Sequence, residues 1–408
     1  MTFPSRTARR FGAPAPLYLT AVVLACTTWP LAAHTAPPAP SFAPASPPRS
    51  AAAQALQATR ISQGLEHPWA LAFLPDGRFL VTERPGRMRV VQADGRLNPP
   101  LSGVPPVVAR GQGGLLDVAL DSDFAQNRQL YFCYSQPGTG ADAGKNGTAL
   151  ARATLNADAT ALQNVQIIFE QKPKYDSHLH FGCRIVERQV NGRSGGALFL
   201  TLGERSHHKE EAQNLHSHLG KIVRIGKDGS VPADNPLVGK APALPEIWSW
   251  GHRSPQGAVL APDGQLWMHE HGPQGGDEVN RPQPGKNYGW PVITYGENYG
   301  GGKIGAGITH QAGMEQPLHT WVPSIAPSGL AWVSSTRYGA DWQGSLVVGG
   351  LRSHMLERLK FQGDHVVAHE QLLPRLGQRV RDVRQGPDGW LYVLTDAPDG
   401  QLLRLTVP

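Results

Sequence analysis

Residues 69–83 read WALAFLPDGRFLVTE, and this short unit has further copies along the chain. In each copy an apolar run leads to a turn, and a second run then alternates large apolar residues with small ones. Alternating runs of about four to eight residues on either side of a turn are typical of paired antiparallel strands. The other copies occupy residues 115–135, 181–204, 255–270, 327–350 and 380–396.

The spacing of these copies predicts the architecture. They recur at intervals of roughly 60 residues, which is the length of a four-stranded sheet with its loops. The Asp-Gly pairs within them mark hairpin turns, because Gly takes positive φ without strain. We therefore predict an all-β fold over residues 56–408, a six-bladed β-propeller of four-stranded antiparallel sheets. The alternative is a large β-sandwich in which the Asp-Gly turns recur only by coincidence.

Composition agrees with a turn-rich β protein. Of the 408 residues, 17% are charged and 40% hydrophobic, with 47 Gly and 36 Pro. The net charge of +6 is spread without a basic run, which favours anionic ligands mildly. We expect no nucleic-acid partner, because the interleaved basic and aromatic residues of such a surface are missing.

The first 55 residues have the character of an export signal and a linker. Arginines precede the apolar run LYLTAVVLA at residues 17–25, which is too short to span a bilayer. We predict a signal peptide over 1–33, or over 1–25 with a lipid anchor on Cys26 in the motif VLAC. A disordered Pro/Ala-rich tether would follow over 34–55. The protein would then be periplasmic or secreted, or an outer-membrane lipoprotein.

Two cysteines remain in the predicted mature chain. Cys133 and Cys183 both lie in runs that predict strands, FCYS and FGCRIV. Export would allow a disulfide between them, whereas two buried thiols are the alternative.

Polar residues at the ends of the repeated units are candidates for a shared site, because loops at one end of a propeller converge on its channel. Arginines gathered there would repel one another unless an anion lay among them, which predicts a polyanionic ligand. Solvated loop arginines are the alternative. The candidates are Gln112, His180, Arg253, Tyr299, Arg352, Arg379 and Arg381.

The loop HEHGPQGGDEVNRPQPGKNYGW at residues 269–290 is a second candidate. Its Asp277 and Glu278 lie among glycines, so carboxylate and carbonyl oxygens are available for a hard cation such as Ca²⁺. A surface acidic turn is the alternative. A zinc site built from the His triplets HLH at 178–180, HSH at 216–218 and HEH at 269–271 lacks both an HExxH motif and paired cysteines.

Several longer motifs resemble one family. HPWALAFLPDGRFLVTERPGR, GQGGLLDVALDSDF, WGHRSPQG, EHGPQGGDEVNRPQPGKNYGWP and QRVRDVRQGPDGWLYVLTD occur in the order found in the soluble quinoprotein sugar dehydrogenases. These enzymes are aldose sugar and glucose dehydrogenases that depend on pyrroloquinoline quinone (PQQ). The resemblance runs from about residue 60 to the C-terminus and implies a six-bladed propeller.

The resemblance also implies a role for each candidate. His180 would be the catalytic base, and Arg253 would lie beside the reactive quinone carbonyl. The cofactor-binding residues would be Gln112, Tyr299, Leu351, Arg352, Arg379 and Arg381. The carbonyls of Gly272 and Pro273 would ligate an active-site Ca²⁺, and Glu278 with Tyr288 a second calcium.

The implied reaction is the oxidation of an aldose at its anomeric carbon to a lactone. Hydride would reach C5 of PQQ, with Ca²⁺ as Lewis acid and His180 as general base. The electron acceptor would be a quinone, a cytochrome or a dye.

Leu179 and Ser254 depart from the glucose dehydrogenase branch, which has Asp beside this His and Asn beside this Arg. The lost Asp would have oriented the imidazole, so another group must fix the tautomer of His180, or its basicity is lower.

Two rival functions are a calcium-dependent lactonase or esterase on a six-bladed propeller, and a non-catalytic propeller that binds glycans or proteins.

Overall fold

The computed structural model describes residues 49–190 and 193–408. The predicted signal peptide, Cys26 and most of the predicted tether lie outside the described residues. None of the helices in the described part of the chain is long and apolar enough to cross a membrane.

Six small sheets make up the fold. The first strand is β1 (Gln57–Leu65), and blade 1 follows with β2 (Pro68–Phe73), β3 (Phe79–Glu83), β4 (Arg87–Val91) and β5 (Leu97–Pro100). Blade 2 comprises β6 (Leu115–Leu120), β7 (Gln129–Pro137), β8 (Asn146–Leu155) and β9 (Leu162–Glu170). Blade 3 comprises β10 (Gly182–Val190), β11 (Arg193–Leu202), β12 (Lys221–Gly226) and β13 (Ile247–Trp250).

Blade 4 comprises β14 (Pro255–Leu260), β15 (Leu266–Glu270), β16 (Asp277–Asn280) and, after the short strand β17 (Lys286–Asn287), β18 (His319–Trp321). Blade 5 comprises β19 (Pro327–Trp332), β20 (Ser345–Gly350), β21 (Leu356–Gln362) and β22 (His365–Leu372). Blade 6 comprises β23 (Val380–Gln385), β24 (Leu391–Thr395) and β25 (Gly400–Thr406).

The first strand completes the last blade. β1 pairs antiparallel with β25, with Gln57 opposite Thr406 and Leu65 opposite Gly400. The innermost strands β2, β6, β10, β14, β19 and β23 contact one another in turn, and β23 contacts β2. The sheets therefore form a closed ring, which confirms the six-bladed propeller. One detail differs from the prediction, because β17 adds a short parallel strand to the outside of blade 3.

The sequence copies correspond to the two innermost strands of each blade. These strands are covered on both sides by neighbouring blades, which is why β3 is buried along its whole length. Small residues let adjacent blades approach. A Cβ atom at Gly257 would lie 2.7 Å from Leu330 Cβ in the next blade, and one at Gly329 would lie 2.3 Å from the backbone nitrogen of Val383.

A disulfide joins blades 2 and 3. Cys133 on β7 pairs with Cys183 on β10, and their Cα atoms are 5.7 Å apart. Of the two alternatives for these cysteines, the structure has the disulfide.

Short helices lie between the strands: α1 (Ala51–Ala55), α2 (Phe124–Asn127) and 3₁₀ turns at Gly140–Asp142, Lys209–Gln213 and Ala340–Trp342. Helix α1 was predicted to belong to the disordered tether. Instead, Ser50 caps it by accepting from the Ala53 backbone N–H, and Trp342 Nε1 donates to Ser50 Oγ at 3.2 Å. These contacts attach helix α1 to blade 5, so the ordered part of the described chain includes residues before 56.

A buried ion network crosses the middle of the channel. Arg184 Nη1 lies 3.0 Å from Asp117 Oδ1, and its Nη2 lies 3.3 Å from Asp382 Oδ1. Arg384 pairs with the same two carboxylates. Two arginines and two aspartates cancel in charge, which makes their burial tolerable. The Arg184 guanidinium stacks 4.5 Å from the centre of the Trp69 ring. Trp69 lines a cavity of 270 Å³, and Arg184 lines a second cavity of 620 Å³.

Candidate active site

The 270 Å³ cavity lies where the innermost strands begin. Its walls come from all six blades, so residues far apart in sequence meet there. Of the predicted residues, it brings together Gln112, Leu351, Arg379 and Arg381. The other lining residues are Trp69, Arg84, Leu116, Phe181, Gly182, Gln256, His271, Ala326 and Asp396.

One wall of this cavity is basic. Asp396 Oδ2 accepts hydrogen bonds from both Arg379 and Arg381 at 3.1 Å. Burial raises the pKa of Asp396. The charge of Arg381 and the hydrogen bond to His67 lower it by more, so the pKa of Asp396 lies well below its usual range. With Arg84 also in the lining, three guanidinium groups face one carboxylate. The excess positive charge suits an anionic ligand.

His180 is a buried residue in the loop before β10, next to this cavity. Its backbone N–H donates to Gln112 Oε1 at 2.8 Å, and its φ of 48° is left-handed. The ring nitrogen Nδ1 lies 2.6 Å from Glu204 Oε2. Because a carboxylate accepts, Nδ1 carries the proton and Nε2 keeps a free lone pair. Glu204 therefore orients the imidazole of His180, the role that the Asp replaced by Leu179 was expected to have.

The pair is electrostatically poised for a neutral imidazole. Burial lowers the pKa of His180, and the opposing effect of Glu204 does not restore it. Burial raises the pKa of Glu204, but the His180 contact outweighs this and its pKa is lowered. An ionised carboxylate beside a neutral imidazole is the state required of a general base.

Arg253 lies beside a second, smaller cavity. Its Nη1 donates to the carbonyls of His271 at 3.1 Å and Gly272 at 2.8 Å, and its guanidinium lies 5.3 Å from the Trp290 ring. The Gly272 carbonyl, predicted as a calcium ligand, thus accepts from Arg253 in this structure. His271 lines both cavities, so the two adjoin.

The smaller cavity concentrates carboxylates. Gly272, Glu278 and Tyr288, all predicted metal ligands, line it together with Glu270. Burial, and then the charge of Glu270, raise the pKa of Glu278 to about 8. The buried carboxylate of Glu270, the half-buried one of Glu278 and nearby carbonyls form an all-oxygen donor set that fits a divalent cation such as Ca²⁺. Pro273, the fourth predicted ligand, is buried but not part of this lining, and its ring packs against Gly296.

Comparison with known proteins identifies the family. The model of the family described as glucose / sorbosone dehydrogenase matches residues 65–404. The chain belongs to the glucose/sorbosone dehydrogenase family. The resemblance seen in the sequence is thereby confirmed, as is the prediction that the protein is an oxidoreductase of the sugar dehydrogenase type.

Individual members of the family agree in fold and length. Aldose sugar dehydrogenase YliI of Escherichia coli (strain K12) is 46% identical over 345 residues, which cover 84% of this chain and 90% of the relative. The soluble aldose sugar dehydrogenase of E. coli in its apo-form superposes with a TM-score of 0.81 and 44% identity, covering 86% of this chain and all of that one, 100%. The PQQ-bound aldose sugar dehydrogenase of Streptomyces coelicolor has a TM-score of 0.68 and 29% identity, covering 86% and 98%.

Two residues that the family resemblance assigned to the cofactor lie outside the cavity lining. Tyr299 is 74% exposed, in a loop that continues with Gly300–Gly302, which all have positive φ. Arg352 is exposed on a turn whose backbone N–H donates to the Ile325 carbonyl. The structure therefore does not bring either side chain to the site as predicted.

The histidine triplets do not form a zinc site. His269 Nε2 is bound to the Gly329 carbonyl at 3.2 Å, His271 Nε2 to the Pro327 carbonyl at 2.7 Å, and His180 to Glu204. Within residues 49–190 and 193–408, no group of three or more His, Cys, Asp or Glu side chains converges as metal ligands.

Sequence reasoning missed the acidic residues that organise the site of this dehydrogenase. Glu204, Glu270 and Asp396 are each the last residue of a sequence copy, as Glu83 is in blade 1. Glu270 and Glu83 end their strands, whereas Asp396 and Glu204 follow theirs directly or after one intervening residue. Glu83 pairs with arginines of β4, whereas the others contact predicted site residues. Alignment of the copies on this terminal acid would have revealed them.

Proposed function

We propose that this dehydrogenase oxidises aldose sugars at the anomeric carbon to lactones, with PQQ and Ca²⁺ as cofactors. The observation that carries the proposal is the His180–Glu204 pair, a buried and oriented base beside an arginine-lined cavity. PQQ bound to the Streptomyces relative supports the choice of cofactor.

The cavity fits PQQ chemically. PQQ is a planar molecule with three carboxylates, and guanidinium groups bind carboxylates through paired hydrogen bonds. Arg379, Arg381 and Arg84 would hold these groups. The ring of Trp69 offers a flat apolar wall, with the Arg381 guanidinium 5.9 Å from its centre. Gln112 and Leu351 would complete the lining.

The carbonyls of Gly272 and Pro273 are the donors we propose for the active-site calcium. Glu278 and Tyr288 are the donors we propose for a second calcium, with the Glu270 carboxylate beside them. Bound PQQ would supply a two-electron acceptor for the sugar's hydride, and Ca²⁺ would supply Lewis acidity. Arg253 holds a fixed positive charge next to His271, where it stabilises negative charge on a bound oxygen.

The protein's own contribution to chemistry is a proton transfer. His180 Nε2 accepts the proton of the anomeric hydroxyl while the hydride leaves the same carbon. Glu204, 2.6 Å from Nδ1, stabilises the positive charge that then develops on the ring. The proton acceptor must be neutral beforehand, which agrees with the lowered pKa of His180.

The predicted signal peptide over residues 1–33 supports export to the periplasm or the medium. The alternative is cleavage after residue 25 with lipid attachment at Cys26, which would anchor the exported protein to a membrane. Mass spectrometry of the mature N-terminus distinguishes the two. The electron acceptor is proposed only as a class, a quinone, a cytochrome or a dye.

The test is reconstitution. Dialysed protein is incubated with PQQ, Ca²⁺ or both, and dye reduction is followed with a panel of aldoses. We expect turnover only with both cofactors, together with bleaching of bound PQQ absorbance by sugar. Turnover in PQQ-free protein would refute the proposal. Lactone hydrolysis that needs Ca²⁺ but no PQQ would support the lactonase instead.

A further inference from the structure

The chain bends sharply just after Glu204. Arg205 and Ser206 both have left-handed backbones, with φ of 67° and 65°. Such conformations are strained for residues other than Gly and persist where surrounding contacts impose them, often at functional sites. The bend brings the Ser206 backbone N–H to within 2.6 Å of Glu204 Oε2, the oxygen that also contacts His180.

The bend also turns the Arg205 side chain inward beneath the His180 loop. The side chain is fully buried, and its Cζ lies 3.5 Å from the centre of the Phe181 ring. Nη2 donates to Asn146 Oδ1 and to the Ser177 carbonyl. In return, Ser177 Oγ donates to the Arg205 carbonyl at 3.0 Å. Arg205 therefore contacts the loop on both sides of His180, at Ser177 and at Phe181.

Arg205 carries more charge than its hydrogen bonds compensate. Both of its acceptors are neutral, and its Nε and Nη1 have no hydrogen-bond partner among the described residues. Burial lowers the pKa of Arg205 to about 9, and the charge of Glu204 is the principal effect opposing it. A buried cation of this kind is costly to fold around, and such groups concentrate at functional sites.

We propose that Arg205 is a positioning residue for the catalytic base: it fixes the His180 loop, and its positive charge disfavours protonation of the His180–Glu204 pair, so that His180 remains the neutral Nδ1–H tautomer beside an ionised Glu204. The inference rests on the proposed function in taking His180 as the base. The charged groups that act on the His180 ring are Glu204, Arg253 and Arg205, and His271 is the other titratable neighbour.

The first test needs no cofactor. Apo-protein with ¹⁵N-labelled histidine is titrated by NMR, and His180→Gln assigns the signal. The wild type should show the Nδ1–H tautomer near neutral pH. Arg205→Met removes charge and hydrogen bonds, Arg205→Gln keeps a donor without charge, and Arg205→Lys keeps charge without the flat stack. We expect the pKa of His180 to rise in the Met and Gln variants and to stay near wild type in the Lys variant.

Arg358→Met is the matched control. Arg358 is also buried, stacks at 5.1 Å on Trp342 and pairs with Glu370, but it lies in blade 5. It should leave the His180 signal unchanged, which separates the proposed effect from general destabilisation.

The second test uses enzyme loaded with PQQ and Ca²⁺. Arg205→Met should lower kcat at least 10-fold with little change in PQQ affinity, and should move the acid limb of kcat/KM to higher pH. Arg205→Lys should restore the position of that limb. Wild-type His180 tautomer and pH profile in Arg205→Met, or in Arg205→Gln if the Met variant does not fold, would overturn the inference. If wild-type protein shows no PQQ-dependent turnover, the proposed function fails, and the NMR result still decides the role of Arg205.

Discussion

Replacing Glu204 by Gln tests the base at its most sensitive contact. In the wild type, His180 Nδ1 and the Ser206 backbone N–H both donate to Glu204 Oε2. The amide has the same shape as the carboxylate, so its oxygen can still accept both hydrogen bonds. Only the negative charge is lost. The change therefore probes how much the charge of Glu204 stabilises the protonated ring, without opening a cavity.

The magnitude follows from the contact. A hydrogen bond to a charged group contributes about 1.5–3 kcal/mol and a neutral one about 0.5–1.5 kcal/mol, so the variant loses about 1–2 kcal/mol at the chemical step. That corresponds to a fall in kcat of roughly 5- to 30-fold. The charge of Glu204 raises the pKa of His180. Its loss should therefore move the acid limb of kcat/KM to lower pH, opposite to the direction expected for Arg205→Met.

The assay is dye reduction by enzyme loaded with PQQ and Ca²⁺, with PQQ occupancy measured on the same sample. Glu357→Gln is a matched control, because Glu357 Oε2 also lies 2.6 Å from a histidine, His369, but in blade 5. The control should keep wild-type kcat. A Glu204→Gln enzyme with full PQQ occupancy, wild-type kcat and an unmoved acid limb would refute the assignment of Glu204 as the orienting partner.

The remaining predictions address the base, the cofactors and the fold. His180→Ala should lower kcat by about 10² to 10⁴ with PQQ and calcium still bound, and normal turnover would remove it from the mechanism. Replacing Arg379 and Arg381 together by Ala should weaken PQQ binding, measured by absorbance titration, by about 2–3 kcal/mol; unchanged affinity would mean that neither binds the cofactor. Replacing Cys133 and Cys183 by Ser should lower the free energy of unfolding, measured with denaturant, by about 4 kcal/mol, from the chain entropy of a sequence separation of 50. An unchanged free energy would contradict that entropic account. Chelation by EDTA should lower both kcat and Tm, and Ca²⁺ should restore them; insensitivity of both would contradict the calcium site.

Much of the candidate site could be predicted from the family resemblance of the sequence. Gln112, Arg379 and Arg381 were named from their motifs, and they line one cavity. Arg253 and Glu278 were named in the same way and line the adjoining one. Such residues are predictable because a propeller brings the starts of its innermost strands together whatever their separation in the chain.

The contacts of those residues were not predictable in the same way. Motifs placed Tyr299 at the cofactor, yet the conformation of its glycine-rich loop leaves it exposed. The departure at Leu179 left two alternatives, another orienting group or a weaker base, and Glu204 supplies the orienting group from the loop that follows β11. Which carboxylate faces which histidine depends on strand register and side-chain direction, which are set by packing across the blade.

By itself, the sequence determined the closed ring of six blades and which strand ends face the channel. It could do so because the repeated alternation of large and small residues is a local property, written into each copy. Only the tertiary structure decided the Cys133–Cys183 disulfide, the His180–Glu204 pair and the inward turn of Arg205. These contacts join segments whose approach is fixed by the packing of neighbouring strands and blades, and no pattern within a single segment specifies that approach.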